Sequence, residues 1–416
     1  MNFWNKIVIS KKKLLFVVCA TSMVFFIVQL ITLSSPTVVG EPYFVAENLI
    51  VGNGYSSLYP FAQTSAVHSY ITPFYTYITA FVLYCKGDII ALQILNLIFL
   101  HIAYSVIFFF FRKVIPLYFA FLGFVALQCY IPLWLLAECI DPNALNILMI
   151  AMTISILYSL SEKSTEKKWI SLGLITGIQL LIRPDMIIGI IFFAGWAVSH
   201  IKMQPRKLLF RYAGECLLVA ILIVLPWTIR NAVVFHSFIP LSANGGYNLY
   251  MGNNSVALGE LLQSQETPES FSEKTEIMNY SKNHTQPELD AMLLHTALEW
   301  ISDHPIDALK LAVKKFIYHW FTREHEAARP EFSFYKNLYY YFNILLVIAG
   351  FIGLFLIKNK SARTLLGTLF LYSTLVSMIF FVQSRHKMIK VDPFLIPLAA
   401  YSVLYGAKKI GQKLFP

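Results

Sequence analysis

The 416-residue chain is 57% hydrophobic and only 13% charged, where a soluble domain carries about a quarter charged residues. That composition excludes an ordinary soluble protein and reads as a polytopic membrane protein, all-α in class. The net charge of +10 is no nucleic-acid signal, because Lys and Arg fall in short clusters between apolar runs and not on one domain. No nucleic acid is expected as a partner; the bilayer is.

Lys6 and Lys11 to Lys13 precede an apolar run from Leu14 to Leu33. About 20 residues suffice to span a bilayer and exceed the core of a cleaved signal, so an uncleaved anchor with a cytoplasmic N-terminus is expected. Further spans are expected near 88–111, 114–136, 143–160, 169–182, 186–199, 212–229, 338–357, 364–382 and 389–406, about ten in all at bilayer-crossing length. Counted this way, Arg112 and Lys113, Lys163, Lys167 and Lys168, Lys202, Arg206, Lys207 and Arg211, Lys358, Lys360 and Arg363, and the tail lysines 408, 409 and 413 share one side. The positive-inside rule makes that side cytoplasmic, with both termini in the cytoplasm of a cell (inner) membrane.

This parity decides the apolar run from Ile71 to Tyr84. Were it a span, every later cluster would change side. At about 14 residues it is also short for one, and Thr72, Thr76 and Thr79 form a polar stripe at helical spacing. It reads as an interfacial helix, with Tyr70, Tyr75, Tyr77 and Tyr84 suited to the headgroup zone. Residues 34–87 then form one outer loop within an N-terminal membrane module, 1–229. A small, mainly helical outer segment, 230–337, and C-terminal membrane helices, 338–416, follow.

The outer loop holds Glu41, Glu47 and His68. A carboxylate at a membrane surface is costly without a partner or a task, which makes Glu41 the first candidate for chemistry. His68 reads as a polar loop histidine, with acceptor placement or metal binding as the other readings. In LLAECIDPNAL, Asp141 before Pro142 reads as a cap for the following helix, leaving Glu138 as the unexplained acid. Arg183-Pro184-Asp185 is equally a locally neutralised turn or an anion site. In QSRHKMIKVDPFL, Arg385, His386, Lys387 and Lys390 lie outside, against the charge rule. Either they snorkel to lipid phosphates or they bind a specific anion, and the acids Glu41 and Glu138 favour the second.

The outer segment begins with Asn- and Gly-rich turns and continues in helical periodicity from Gln286 to Phe321, broken at His304-Pro305. Lys310, Lys314 and Lys315 read as a solvated face of it. The triplets Asn253-Asn254-Ser255 and Asn283-His284-Thr285 are formal sequons of little weight. Cys85 and Cys139 fall outside, so a bridge between them is open. No Cys/His spacing marks a metal site, and a divalent metal is neither required nor excluded.

Taken together, PWTIRNAVVFHSFIPLSANGGYNLYMGNN, AENLIVGNGYSS followed by TPFYTYITAF, AEC, GLITGIQLLIRPDM, HPIDALKLAVKKF and SRHKMIKVDPFLIPLAAYSVL resemble, in order and across nearly the whole chain, the C-type (GT-C) superfamily of membrane glycosyltransferases. The bacterial relatives of the protein O-mannosyltransferases and of the aminoarabinose transferase of lipid A are the nearest in pattern. The resemblance implies an inverting glycosyltransferase that moves a sugar from a polyprenyl-phosphate carrier to an acceptor hydroxyl on a glycolipid, polysaccharide or protein at the periplasmic or extracellular face. It implies that an acid of the first outer loop activates the acceptor. Glu41 matches that position, although many relatives have an Asp-Glu pair where this chain has Gly40-Glu41, which leaves open a share for Glu47 or Glu138.

The chemistry asks for the same parts. A hydroxyl needs a carboxylate to take its proton, and a leaving phosphate needs cationic donors. Arg385 and Lys387 are the candidates, with Arg183 and Arg230 behind them. Two other classes fit the same sequence: a transporter or flippase of a polyprenyl-linked sugar, which internal repeats and mid-span charges would favour, and a membrane scaffold binding partners through 230–335.

Overall fold

The computed structural model describes residues 10–33, 39–57, 66–202, 205–259, 268–321 and 333–414. A long helix α1 (Lys11–Ile31) leads to α2 (Glu41–Ile50), a two-residue antiparallel pair β1 (Ser56–Ser57) and β2 (Ala66–Val67), and α3 (Pro73–Tyr84). The membrane module continues with α4 (Ile89–Val114), α5 (Leu117–Gln128), α6 (Ile131–Glu138), α7 (Asn143–Glu162), α8 (Glu166–Leu180), α9 (Met186–His200) and α10 (Arg206–Phe235). Shorter helices follow: α11 (Gly245–Gly252), α12 (Pro268–Ser281), α13 (Gln286–Asp303) and α14 (Pro305–Trp320). The chain ends with α15 (Ser333–Leu356), α16 (Lys360–Ile379), α17 (Ser384–Lys390) and α18 (Asp392–Leu414).

Helices stand at each expected span. Among the described residues five of them, α1, α4, α7, α10 and α16, are long and apolar enough to cross a membrane, and α5 with α6 makes up to six. The run expected as one span over 114–136 is bent by 50° between Gln128 and Ile131, where Pro132 in the first turn of α6 starts a new helix. Helices approach closely where glycine faces a neighbour. A side chain at Gly177 would meet Ile223 of α10 at 2.7 Å, so Gly173 and Gly177 form a small-residue face against that helix.

The loops sort into two groups at opposite ends of α7. At its C-terminal end Lys113 pairs with Glu162 at 2.9 Å, Lys168 donates to the carbonyls of Ser159 and Lys163, and Asn359 donates to Tyr158. At its N-terminal end Gly40 N–H bonds Ile140 O at 2.9 Å, Phe74 N–H bonds Leu181 O at 3.1 Å, and Ala243 N–H bonds Ser69 O at 3.0 Å. The contacts of Lys113 and Lys168 and those around Gly40 thus lie at opposite ends of α7.

Several local expectations change. Thr76 and Thr79 are buried, because the threonine face of α3 packs inward while Tyr77, Phe81 and Tyr84 are exposed; Thr76 meets the Tyr55 hydroxyl at 3.2 Å. Asp141 does not cap α7, whose N-cap is Pro142 without a side-chain bond. The break at His304-Pro305 stands where expected, and Thr285 with Glu288 closes a capping box at the start of α13. Lys315 is not on a solvated face. It is fully buried, its Nζ 2.9 Å from Asn253 Oδ1 and 3.3 Å from the carbonyl of Met378, and burial pushes its ammonium down to about 7. The exposed face of α14 is instead apolar, through Ile306, Leu309, Val313, Phe316 and Ile317. Asn253, the acceptor of the first sequon, is buried and bonded to backbone, whereas Asn283 of the second is exposed. Cys85 and Cys139 are not joined in a disulfide.

Candidate active site

Glu41 is the first residue of α2, and Pro42 behind it sits where a helix has no use for an N–H. Gly40 explains the departure from an Asp-Glu pair. Its N–H bonds Ile140 O, and a Cβ there would stand 2.7 Å from that same carbonyl oxygen. An aspartate at 40 has no room, so the turn that positions Glu41 requires glycine.

The strands supply the partners of Glu41. Asn48 Nδ2 donates to Ser56 O at 2.7 Å, which folds β1 back over α2. The pairing of Ser57 with Ala66 then brings His68 alongside, its N–H on Tyr55 O at 3.1 Å. Ser57 Oγ lies 3.2 Å from Glu41 Oε1 and 2.9 Å from His68 Nε2. The backbone N–H of Tyr70 donates to His68 Nδ1 at 3.1 Å. That bond needs the lone pair on Nδ1, so the neutral ring carries its proton on Nε2. Nε2–H therefore donates to Ser57, and Ser57 passes its own hydrogen to Glu41.

The direction of these bonds distinguishes the trio from a hydrolytic Ser-His-acid triad. There, a histidine nitrogen accepts the serine proton; here that nitrogen is already protonated. Ser57 is consequently a donor to Glu41 and not a nucleophile. Glu41 Oε1 and His68 Nε2 are 3.7 Å apart, which is ion-pair geometry, but the charges do not develop together. Burial, then the Arg230 charge, pushes His68 down to about 4, so it is neutral near pH 7. Burial pushes Glu41 up to about 7, opposed by the Ser57 bond. A carboxyl poised near the working pH is the form a general base takes.

Arg230, in the last turns of α10, donates from Nη1 to His68 O at 3.1 Å and to Asn231 Oδ1 at 2.9 Å. Its guanidinium lies over the rings of Trp227, Tyr55 and Phe235, 4.8, 5.4 and 5.6 Å from their centroids. Arg230 thus ties the His68 loop to α10 through an aromatic cage. On the far side, Tyr70 and Tyr247 meet edge to face at 5.6 Å, both within the field of Glu41. Asp290 accepts from Tyr247 N–H at 2.9 Å and fixes the start of α11.

A cationic cluster adjoins this group. Ile140, whose carbonyl holds Gly40, is followed by Asp141, and Arg385 Nη1 donates to Asp141 Oδ2 at 3.0 Å. Arg385 also bonds Gln383 Oε1 at 2.7 Å and keeps its side chain 39% exposed. Arg183 is partly buried, Nε 3.3 Å from Asp185 Oδ1 and within the field of Asp141. Asp185 further accepts from Tyr372 at 3.1 Å and from Lys390; these cations hold its carboxyl well below the usual range against the cost of burial. Lys387 is deeply buried, bonded to Asp392 at 2.5 Å and to Asn343 at 2.7 Å with 3% of its side chain exposed.

Of the residues singled out from sequence, Glu41, His68 and Arg230 therefore share one cluster and Arg183 and Arg385 an adjoining one. Lys387 is neutralised within the helix packing. Glu138 is buried at the end of α6, its carbonyl taking Gln93 Nε2 at 3.0 Å, and Glu47 is exposed on α2. Ser57 escaped the sequence reading, Asp141 read as a helix cap, and Asp185 and Lys390 were met only as members of charged turns. The basic turn that contains Lys390, and the two Asp residues at outer turns, were the signals available. Glu41 and His68 are possible metal donors, but among the described residues no three His, Cys, Asp or Glu side chains gather.

No protein-family profile and no curated protein matches the sequence. Among solved structures, the chain is similar to the oligosaccharyltransferase of Archaeoglobus fulgidus, crystallised tethered with an acceptor peptide. Identity is 11% and the TM-score 0.53 over 96% of this chain and 50% of that one, so this chain spans half the length of that protein. ArnT from Cupriavidus metallidurans is similar more loosely, at 10% identity and TM-score 0.43 bound to undecaprenyl phosphate, and 11% and 0.39 in the apo state, covering 97% of this chain and 80% and 79% of those. The likeness to the oligosaccharyltransferase shows the fold. The chain is an all-α polytopic membrane protein that shares the fold of that oligosaccharyltransferase.

Proposed function

We propose that the protein is an inverting membrane glycosyltransferase that carries a sugar from a polyprenyl-phosphate donor to an acceptor hydroxyl on the non-cytoplasmic face. The single observation that supports this reading most is the placement of Glu41: a partly buried carboxyl held by Ser57 and near His68, at the start of a helix whose preceding Gly40 bonds the Ile140-Asp141 turn that Arg385 pairs with. As the acceptor oxygen bonds to the anomeric carbon, Glu41 takes its proton, and the bond from that carbon to the carrier phosphate breaks on the opposite side. A single displacement inverts the anomeric centre. The leaving phosphate gains charge, and Arg385 is the exposed donor placed to receive it, with Arg183 and Lys390 holding the acids around it. The sugar is a hexose or a pentose; the acceptor is a glycolipid, a polysaccharide or a protein. The residues 34–87 loop is then the catalytic loop of the membrane module, and 230–337 covers it.

The pH profile follows from Glu41. A protonated carboxyl cannot accept, so kcat/KM rises with pH through about 7, the value to which burial pushes the group. The same burial stabilises the protonated folded form, a contribution lost as pH rises through that value. Activity and stability accordingly move in opposite directions there, and parallel rate and thermal-unfolding measurements across neutral pH check both. A rate that is flat across this range contradicts the assignment of the base. Mass analysis of surface glycans from cells lacking the protein tests the function as a whole. A missing sugar at one attachment point is the expected result, and unchanged glycans with an altered distribution of carrier lipid across the membrane would point to transport.

A further inference from the structure

Glu41 is engaged through one oxygen. The contacts to Ser57 and His68 both fall on Oε1, and the chain of donors behind it runs one way, from His68 Nε2–H to Ser57 Oγ–H to the carboxylate. His68 itself is immobilised from three directions. Its Nδ1 takes the Tyr70 N–H, its own N–H is held by Tyr55 O, and its carbonyl is held by Arg230. The Tyr55 ring closes the edge of the imidazole at 5.6 Å, and the side chain has no exposed surface. So rigid a donor pair can fix both the direction in which Glu41 points and how readily it holds a proton.

We propose that Ser57 and His68 are positioning residues for Glu41: a histidine locked in its Nε2–H tautomer orients the serine hydroxyl, which in turn holds Oε1 and leaves proton transfer to the acid alone. This rests on the reading of Glu41 as the general base. Because Nε2 already carries a hydrogen, the pair takes no proton from the acceptor, and the imidazole is not a stop on the proton's way to solvent. A hydrogen bond to the charged form lowers a carboxyl's proton affinity, so Ser57 draws Glu41 back toward neutrality from the higher value that burial alone would impose. The other titratable groups around Glu41 are Tyr55 on β1's approach, Tyr70, Tyr247 on α11, Arg230 on α10, and Glu138 and Asp141 in the turn behind Gly40. None of them lies between Ser57 and Oε1.

The test needs no substrate. A hydrophobic carbodiimide reacts with protonated carboxyls, so its attachment to Glu41, read by peptide mass spectrometry on the full-length protein in liposomes, titrates the group directly. In the wild type labelling falls as pH rises through about 7. In Ser57→Ala the midpoint moves up by about one unit, the difference between a hydrogen bond to a charged and to a neutral acceptor, and Ser57→Thr restores it. An unchanged midpoint in a well-folded Ser57→Ala overturns the proposal. Should that variant not fold, selectively 15N-labelled wild-type protein decides: ring shifts for His68 with Nδ1 bare and Nε2 protonated support the relay, and a proton on Nδ1 or an imidazolium at neutral pH overturns it. The catalytic reading fails separately. A shifted midpoint together with full transfer by Glu41→Gln would keep the relay and remove the base, whereas an inactive Glu41→Gln with an unmoved Ser57→Ala would do the reverse.

Discussion

Glu41→Gln lowers kcat for sugar transfer by about 10²–10⁴-fold, the range that a positioned general base contributes, and leaves the KM for the carrier-linked donor nearly unchanged. The amide keeps the shape of the carboxylate and can still accept from Ser57, so α2 and its contact with Ile140 stay as they are. What it loses is the capacity to take a proton. An unfolded fraction would also lower the apparent kcat at unchanged KM, so rates are referred to folded protein; an unchanged KM then marks an interaction made only in the transition state. Glu41→Asp should recover part of the rate, limited by the shorter reach from the same helix position. Steady-state rates with a carrier-linked sugar in proteoliposomes, alongside size-exclusion profiles of each variant, check the expectation. Undiminished kcat in Glu41→Gln would move the base elsewhere, with the buried Glu138 the next acid to test.

The second large effect concerns stability. Asp185→Asn strands Lys390, which is 2% exposed, and removes the partner of the partly buried Arg183. Breaking one side of a buried ion pair costs about 3–5 kcal/mol because a charge is left without compensation. The expected result is a lower thermal-unfolding midpoint in detergent and poor recovery from membranes. Lys390→Met in the same chain should return much of that loss, since the stranded charge is gone. The sign with pH is fixed by the depressed pKa of Asp185. Its contribution is complete above the unfolded carboxylate range and fades only in strong acid, so the wild type and Asp185→Asn converge as pH falls and differ most near neutrality. An Asp185→Asn protein as stable as the wild type would mean that Arg183 and Lys390 find other partners.

The fold was legible because a membrane restricts the choices. Runs of span length marked the helices, and the alternation of lysine clusters grouped Lys113 with Lys168 and set Glu41 with Asp141 and Arg385, as the contacts at the two ends of α7 have it. Periodicity failed where two explanations share one pattern. The stripe of Thr72, Thr76 and Thr79 is polar whether it faces water or hydroxyl partners inside, and only the Tyr55 contact decides for the interior. Lys315 lies on the same helix as the exposed Lys310, and what buries it comes from Asn253 and Met378, far away in sequence. Asp141 looked like a cap because the local rule is sound; a long-range arginine took it instead.

The site was legible as an acid in the first loop and a breach of the charge rule in the last. Its inner arrangement was not. Ser57 is an ordinary serine until a two-residue strand pair sets it between Glu41 and His68, and strands that short leave no alternation to read. The tautomer of His68 depends on one backbone N–H two residues on. Gly40, met first as a departure from an Asp-Glu pair, is explained by a carbonyl a hundred residues later in the chain.

The most direct test of the central claim is stereochemical. Purified protein in liposomes is supplied with radiolabelled polyprenyl-phosphate sugars of defined anomeric configuration and with lipid and glycan acceptors, and the configuration of the new linkage is determined. Glu41 acting as base in a single displacement predicts that a β-linked carrier sugar appears α-linked on the acceptor. A retained configuration, or a donor that crosses the bilayer intact with no new linkage formed, would contradict it.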